Sequence, residues 1–276
     1  IDTKSVLHPL GVCVGITPFN FPAMMGMMMV SVALASGNTF FWKPSEQDPG
    51  VCLRIAELFK EAGLPDGVLN VVHGRQDAVE QLIDSPDTEA VAFVGSSKIA
   101  HVVYSRAAAA GKRVQAFGGA KNHMIVMPDA DMDIVADQLT SACFGAAGQR
   151  CMAISVAVVV GPTTEPLLEK VKERAEQVRL GAGGEAGTEV GPVINRQSQE
   201  RIRAAVKEAI TGGARAVVDR STEEVPGYES GYFIGPTVLT DVDVSSPAYQ
   251  EELFGPILVV LRVDSLDDGL ALIENH

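Results

Sequence analysis

Cys151 and the run that leads into it, Phe144-Gly-Ala-Ala-Gly-Gln-Arg-Cys151, hold the residue types best suited to chemistry. A thiolate is a far better nucleophile than a thiol, and a neighbouring cation favours the thiolate. Arg150 puts a guanidinium directly before the sulfur. Gly148 permits a sharp turn that would present Cys151 instead of burying it. The competing reading is a buried structural cysteine.

Four further motifs bear on that choice. Pro18-Phe-Asn20-Phe-Pro22 falls between an expected strand and an expected helix, and its prolines fix the backbone around Asn20. A fixed carboxamide N–H is what an oxyanion needs while a carbonyl is attacked; a helix-capping asparagine is the alternative. Phe41-Trp-Lys43-Pro-Ser-Glu46 ends a strand at the carboxyl edge of a parallel sheet, where nucleotides bind. There an acidic residue accepts hydrogen bonds from a ribose diol and repels a ribose phosphate, although a solvated helix start explains the run equally well. Phe93-Val-Gly95-Ser96-Ser97 is a strand–turn–helix junction whose helix N-terminus offers free N–H groups to a pyrophosphate. The six-residue GxGxxG fingerprint is absent. In Glu251-Glu252-Leu-Phe254-Gly-Pro256 a carboxylate beside an aromatic could clamp a nicotinamide ribose; alone, the run reads as a surface loop.

The elements that must position these groups alternate. Strands are expected at residues 11–16, 39–43, 68–72, 90–94 and 114–117, with helices at 22–35, 50–62, 78–83 and 97–110. Interleaving of this kind means βαβ units and a mainly parallel sheet. The pattern changes near Gly118-Gly119. Strands then follow at 124–127, 154–160, 237–239 and 257–263, and helices at 132–144, 165–178, 199–210 and 266–274. Residues 181–191 read as a glycine-rich surface loop. The methionines at 24, 25, 27, 28 and 29 read as plastic core packing.

Composition narrows the partners. With 22 Lys and Arg against 35 Asp and Glu, the net charge is −13, which argues against nucleic acid and against an anionic membrane surface. No apolar run is long enough to span a bilayer. Four scattered cysteines form no disulfide framework and point to a reducing compartment. His8, His73 and His101 have no carboxylate or cysteine at ligand spacing, so no metal is assigned. His123 as the base of a Cys–His hydrolase is the weaker alternative. The chain starts at Ile1 and stops at His276 inside an expected helix, which suggests a fragment of a longer protein.

In this order and at these separations, the motifs resemble those of the NAD(P)-dependent aldehyde dehydrogenase superfamily, over essentially the whole chain. Phe117-Gly-Gly-Ala-Lys121-Asn-His and Gly148-Gln-Arg-Cys-Met-Ala look like the CoA-acylating methylmalonate-semialdehyde dehydrogenases. The resemblance implies an α/β, aldehyde dehydrogenase-like fold: a Rossmann-type cofactor domain plus a second α/β catalytic domain, both incomplete. Residues 1–119 would be the NAD-binding domain, its first residues near the end of an oligomerisation segment, and residues 120–276 the catalytic domain bearing the cysteine. Cys151 becomes the nucleophile, and Asn20 with the Cys151 N–H becomes the oxyanion hole. Thr17, Phe19, Lys43, Glu46, Gly95, Ser96, Glu252 and Phe254 become NAD contacts.

One position departs from the hydrolytic members. Many of them have a glutamate at the first position of a Glu-Leu-Gly-Gly-Lys motif, and here that position is Phe117. A phenyl ring cannot take a proton from water. A thiol acceptor needs less help, because it ionises more readily than water, so coenzyme A is implied as co-substrate. Arg150 could pair with a carboxylate on the aldehyde, or serve only the thiol or a structural ion pair. The expected function is NAD-dependent oxidation of methylmalonate or malonate semialdehyde to propionyl- or acetyl-CoA, with loss of CO2, through a cysteine thioester. A hydrolytic NAD(P)-dependent aldehyde dehydrogenase and an inactive nucleotide-binding fragment are the alternatives. A small-molecule aldehyde is the expected partner, with a homo-oligomer (dimer or tetramer) in the full-length form. The expected location is the bacterial cytoplasm or another reducing compartment such as the mitochondrial matrix.

Overall fold

Short runs of β-branched and aromatic residues, bounded by glycine, form the strands of the first sheet. In the computed structural model, which describes residues 2–276, these are β1 (Val12–Ile16), β2 (Thr39–Lys43), β3 (Leu69–Val71), β4 (Thr88–Val94) and β5 (Arg113–Phe117). The helices between them are α1 (Pro22–Ala35), α2 (Gly50–Glu61), α3 (Gln76–Asp84) and α4 (Ser97–Ala109). The strand order is β3-β2-β1-β4-β5, and every pairing is parallel. The chain runs outward from β1 to β3 and then returns to place β4 on the other side of β1. That reversal opens a crevice at the carboxyl ends of β1 and β4, where ligands of open α/β sheets bind.

Successive strand residues point to opposite faces, and the burial follows. Val14, Ile16, Val91 and Phe93 pack with Val103 and Ala107 of α4. Cys13, Phe40 and Trp42 pack with Val30 of α1 and Cys52 of α2. Gly26 lets α1 lie against the indole, since a Cβ there would fall 1.7 Å from the Trp42 ring. The methionine cluster departs from a pure core role. Met29 joins the apolar cluster, whereas Met24 and Met28 are exposed.

The chain divides into two compact units between Gly119 and Ala120. The second contains β6 (Asn122–Val126), α5 (Met132–Phe144), β7 (Ile154–Val160), α6 (Thr164–Gln177) and α7 (Arg196–Thr211). It continues with β8 (Arg215–Asp219), β9 (Thr237–Thr240), α8 (Pro247–Gln250), β10 (Ile257–Val263) and α9 (Leu266–Glu274). The order is β6-β7-β10-β9-β8, parallel except for β8, which runs antiparallel to β9 at the edge. β7 and β10 are central and nearly all apolar, as strands covered on both faces should be. One continuous core joins them to Leu139 and Phe144 of α5, Leu167 and Val171 of α6, and Ile202 of α7. Asp131 caps α5, its carboxylate accepting from the N–H groups of Asp133 and Ile134. β8 is absent from the sequence reading. It is short and largely solvent-facing, so its alternation is weak.

Candidate active site

The cysteine loop is built by interrupting α5. After Phe144 the chain makes one tight turn, Gly145–Gly148, in which Ala146 (φ 53°), Ala147 (φ 55°) and Gly148 (φ 68°) are left-handed. Each alanine in that region costs about 1–2 kcal/mol. Gly148 tolerates no side chain, because a Cβ would lie 2.1 Å from the Gly255 carbonyl oxygen. Gly148 therefore lies directly against the Gly255-Pro256 backbone. A further turn follows, closed by the Ala153 N–H donating to the Arg150 carbonyl at 3.0 Å.

Cys151 is half-buried on this turn, whereas Cys13, Cys52 and Cys143 are buried. Burial pushes the Cys143 thiol far up and the Cys13 thiol up, and burial with Asp48 nearby pushes Cys52 up to about 11. Those three sulfurs stay protonated and covered. Cys151 is the one of the four that is not buried.

Arg150 does not extend freely. Its guanidinium lies over Gly145, where a Cβ would be 2.3 Å from Nη2, and Nη1 donates to the Ser141 carbonyl at 3.4 Å. That carbonyl belongs to the last turn of α5, where a cation is favoured. Arg150 Nε and the Nε2 of buried Gln149 have no hydrogen-bond partner among the described residues.

Three residues to which the sequence alone gives no role hold this region together. Asn122, at the start of β6, donates through Nδ2 to the carbonyls of Cys151 (2.8 Å) and Ala153 (2.9 Å). Lys121 donates through Nζ to the carbonyls of Ala248 (2.8 Å) and Glu251 (2.7 Å). Arg201 donates to the Leu253 carbonyl at 2.7 Å. Lys121, Asn122, Arg150, Glu252 and Phe254 line one hollow. Burial raises the Glu252 carboxyl above the usual range, against the Ala120 N–H, Lys121 and Arg201, which favour its charged form. Burial lowers Lys121 to about 8. These clamps bridge long sequence separations, so no spacing rule could have found them; the only sequence signal of Lys121 and Asn122 is their place inside the Phe117–His123 motif, and Arg201 has none. His123 makes contacts of its own, Nδ1 to the Lys121 carbonyl (2.9 Å) and Nε2 to the Tyr249 hydroxyl (3.2 Å).

In the first unit the candidate groups stand at strand ends. Thr17, directly after β1, is buried, and its hydroxyl oxygen accepts from the Trp42 indole N–H at 2.9 Å. Phe19 is half-buried and Asn20 is buried. The N-cap of α1 is Phe21, in the left-handed region at φ 52°, with Pro22 at the first helical position. The helix-capping reading of Asn20 therefore falls. Lys43 ends β2 with its side chain buried and its Nζ 3.4 Å from the exposed Glu46 carboxylate. Gly95 follows β4, and Ser96 is the exposed N-cap of α4. Phe117 ends β5 and is exposed.

Backbone strain marks the same motifs. The non-glycine residues with positive φ among the described residues are Phe21, Ala146, Ala147, Asp241 and Phe254. All but Asp241 lie in the Asn20, Cys151 and Glu252 motifs. Such residues cost about 1–3 kcal/mol each and gather where geometry matters for function.

The chain thus combines an open parallel α/β sheet that has a reversal point with a second α/β unit carrying a half-buried cysteine on a turn. The chain belongs to the aldehyde dehydrogenase family, whose profile matches residues 2–276. It is 48% identical over 276 residues to the mitochondrial methylmalonate-semialdehyde dehydrogenase [acylating] of Arabidopsis thaliana, covering 100% of this chain and 45% of that protein. The crystal structure of methylmalonate-semialdehyde dehydrogenase from Oceanimonas doudoroffii superposes with a TM-score of 0.95 at 48% identity, over 97% of this chain and 55% of that one. A Sinorhizobium meliloti structure complexed with NAD gives 0.96 at 48% identity, over 98% and 55%. The chain thus spans about half the length of the relatives it matches. No helix among the described residues is long and apolar enough to cross a membrane, and no group of three or more His, Cys, Asp or Glu there could hold a metal.

Proposed function

We propose that the chain carries the nucleophile and much of the cofactor site of an NAD-dependent, CoA-acylating dehydrogenase for methylmalonate or malonate semialdehyde. The observation that carries this reading is the contrast among the thiols: Cys151 is half-buried on a strained, glycine-dependent turn, and the other three are buried. The names of the relatives support the substrate class.

The residues present fit a dinucleotide. Gly95 keeps the approach to the start of α4 free of a side chain, and buried Lys43 with Glu46 offers polar groups at the end of β2. Thr17, Phe19, Lys43, Glu46, Gly95 and Ser96 would hold the cofactor in residues 1–119, and Glu252 and Phe254 would contact it from residues 120–276. When bound, NAD supplies a hydride acceptor.

The chain's own residues do the rest. The Cys151 thiolate attacks the aldehyde carbon, and the Asn20 carboxamide and the Cys151 N–H donate to the oxyanion that develops. Loss of hydride from that carbon leaves a thioester on Cys151. A β-carboxylate on the acyl group can leave as CO2 because the thioester carbonyl accepts the electrons, and the carbon left behind takes a proton. The acyl group then passes to the thiol of coenzyme A and frees Cys151. Phe117 supports this acceptor over water, because no carboxylate stands there to activate water. Arg150 would recognise the substrate carboxylate. The same reading extends to a homo-oligomer, dimer or tetramer, in a bacterial cytoplasm or a mitochondrial matrix.

The test is mass spectrometry of Cys151 after mixing the chain with NAD and methylmalonate semialdehyde, together with NADH formation with and without coenzyme A. An acyl adduct on Cys151, with turnover that requires coenzyme A, is expected. Turnover independent of coenzyme A would indicate hydrolysis. NAD binding with neither adduct nor turnover would indicate a nucleotide-binding fragment.

A further inference from the structure

Resting on the reading of Cys151 as nucleophile, we propose that Asn122 is a positioning residue that holds the cysteine turn in its reactive form. The turn runs from Arg150 to Ala153 and is closed by a single backbone hydrogen bond between its ends. In a four-residue turn the central peptide is the soft element, because it can rotate while the closing bond stays intact. Here that peptide joins Cys151 to Met152. Its rotation would reset ψ at Cys151 and swing the Cys151 carbonyl about the Cα–C bond, next to the carbon from which the side chain branches.

Asn122 opposes that rotation. A carboxamide nitrogen has two hydrogens, and the side chain donates to two carbonyls, Cys151 at 2.8 Å and Ala153 at 2.9 Å. One is the carbonyl of the central peptide and the other lies just past the turn. Nδ2 thus ties the mobile plane to the fixed exit strand. The anchor belongs to the sheet: Asn122 opens β6 and pairs with Ile154 of β7, just before a shift in the β6–β7 register. The neighbouring Lys121 does the equivalent for the other loop, holding Ala248 and Glu251. Two consecutive side chains at one strand start therefore fasten both loops of this unit. Holding the Cys151 carbonyl on Nδ2 also fixes the direction of its negative end, and fixed dipoles near a sulfur govern how readily it reacts.

The test uses Asn122→Asp and Asn122→Ala in the full chain. Asp has nearly the same shape but its carboxylate donates nothing, and Ala removes the donor to both carbonyls. The readout is the alkylation rate of Cys151 by iodoacetamide under native conditions, quantified by peptide mass spectrometry, alongside the thermal midpoint. Both variants should react about tenfold more slowly than the parent while still folded, with kcat lowered and KM for NAD unchanged. Should Asp fail to fold, the Ala variant decides. A purely structural role would lower the thermal midpoint and leave native-state alkylation unchanged, and that result, or faster alkylation, overturns the proposal. The alkylation assay contains no aldehyde. It therefore still judges Asn122 if Cys151→Ser keeps NADH formation and the functional reading fails.

Discussion

In residues 1–119 the candidate groups stand at the carboxyl ends of β1, β2 and β4, whereas in residues 120–276 they stand on two loops far apart in the chain. The strand ends need little extra support, because parallel ladders already fix Ile16 against Lys43 and Phe93. The loops lack such ladders. They are held by Asn122, Lys121 and Arg201 donating to their carbonyls, and by Gly148 lying against Gly255. A side chain at a strand end should therefore be removable with a cost confined to chemistry. A change at a loop clamp or its glycine should reach stability and chemistry together.

Several substitutions can break or sharpen that contrast. Cys151→Ala should lower NADH formation by about a thousandfold or more, as loss of a nucleophile does. Residual turnover near the parent level would move the nucleophile elsewhere. Asn20→Ala should lower kcat about a hundredfold, the usual cost of one oxyanion donor, while the urea midpoint barely moves. A large shift in midpoint would erase the distinction drawn for the strand ends.

Gly148→Ala should cost about 2–4 kcal/mol, from a left-handed φ together with a clash against fixed backbone. Gly63→Ala gives the control: its φ is +95°, but nothing lies within 4 Å of the added carbon. It should cost about 1 kcal/mol. Equal midpoints in urea melts of the two variants would show that contact with Gly255 is unimportant. Arg150→Leu should reduce kcat/KM about tenfold for an acidic semialdehyde and spare a neutral aldehyde. Equal losses would assign Arg150 to the end of α5, where its guanidinium already meets Ser141.

The smallest effect concerns pH. Burial lowers Lys121 to about 8 from 10.5. The unfolded chain then binds more protons than the folded one between those values, so this group makes stability rise with pH across that window. Relative to Lys121→Met, the parent should gain stability from pH 8 to 10.5 in denaturant titrations. A constant difference between the two would mean that the paired carbonyls offset the burial.

Much of the scaffold was legible because its evidence is local. α1, α5, β2, β7 and β10 show their bounds through periodicity, proline and glycine. The chemistry-bearing motifs were legible from residue type: one amide between two prolines, one cysteine after a glycine and an arginine. β8 was not legible, since its pairing with β9 is long-range and its outward face carries little pattern. Nor were the exposed faces of Met24 and Met28 on α1, whose apolar composition suggests burial all round.

By itself the sequence determined the alternation of strands and helices, the acidic balance, and the Phe117–His123 motif. The tertiary structure alone decided which of two cysteines in one short segment is covered. Cys143 is sealed under the α5 core and Cys151 is lifted onto the turn. It alone decided that Phe21, not Asn20, stands at the N-cap position of α1, and that Lys121 and Asn122 tie down the two loops. The reason is physical: helix and strand propensities act between near neighbours, whereas burial and side-chain-to-carbonyl bonds join residues that meet only once the chain has folded.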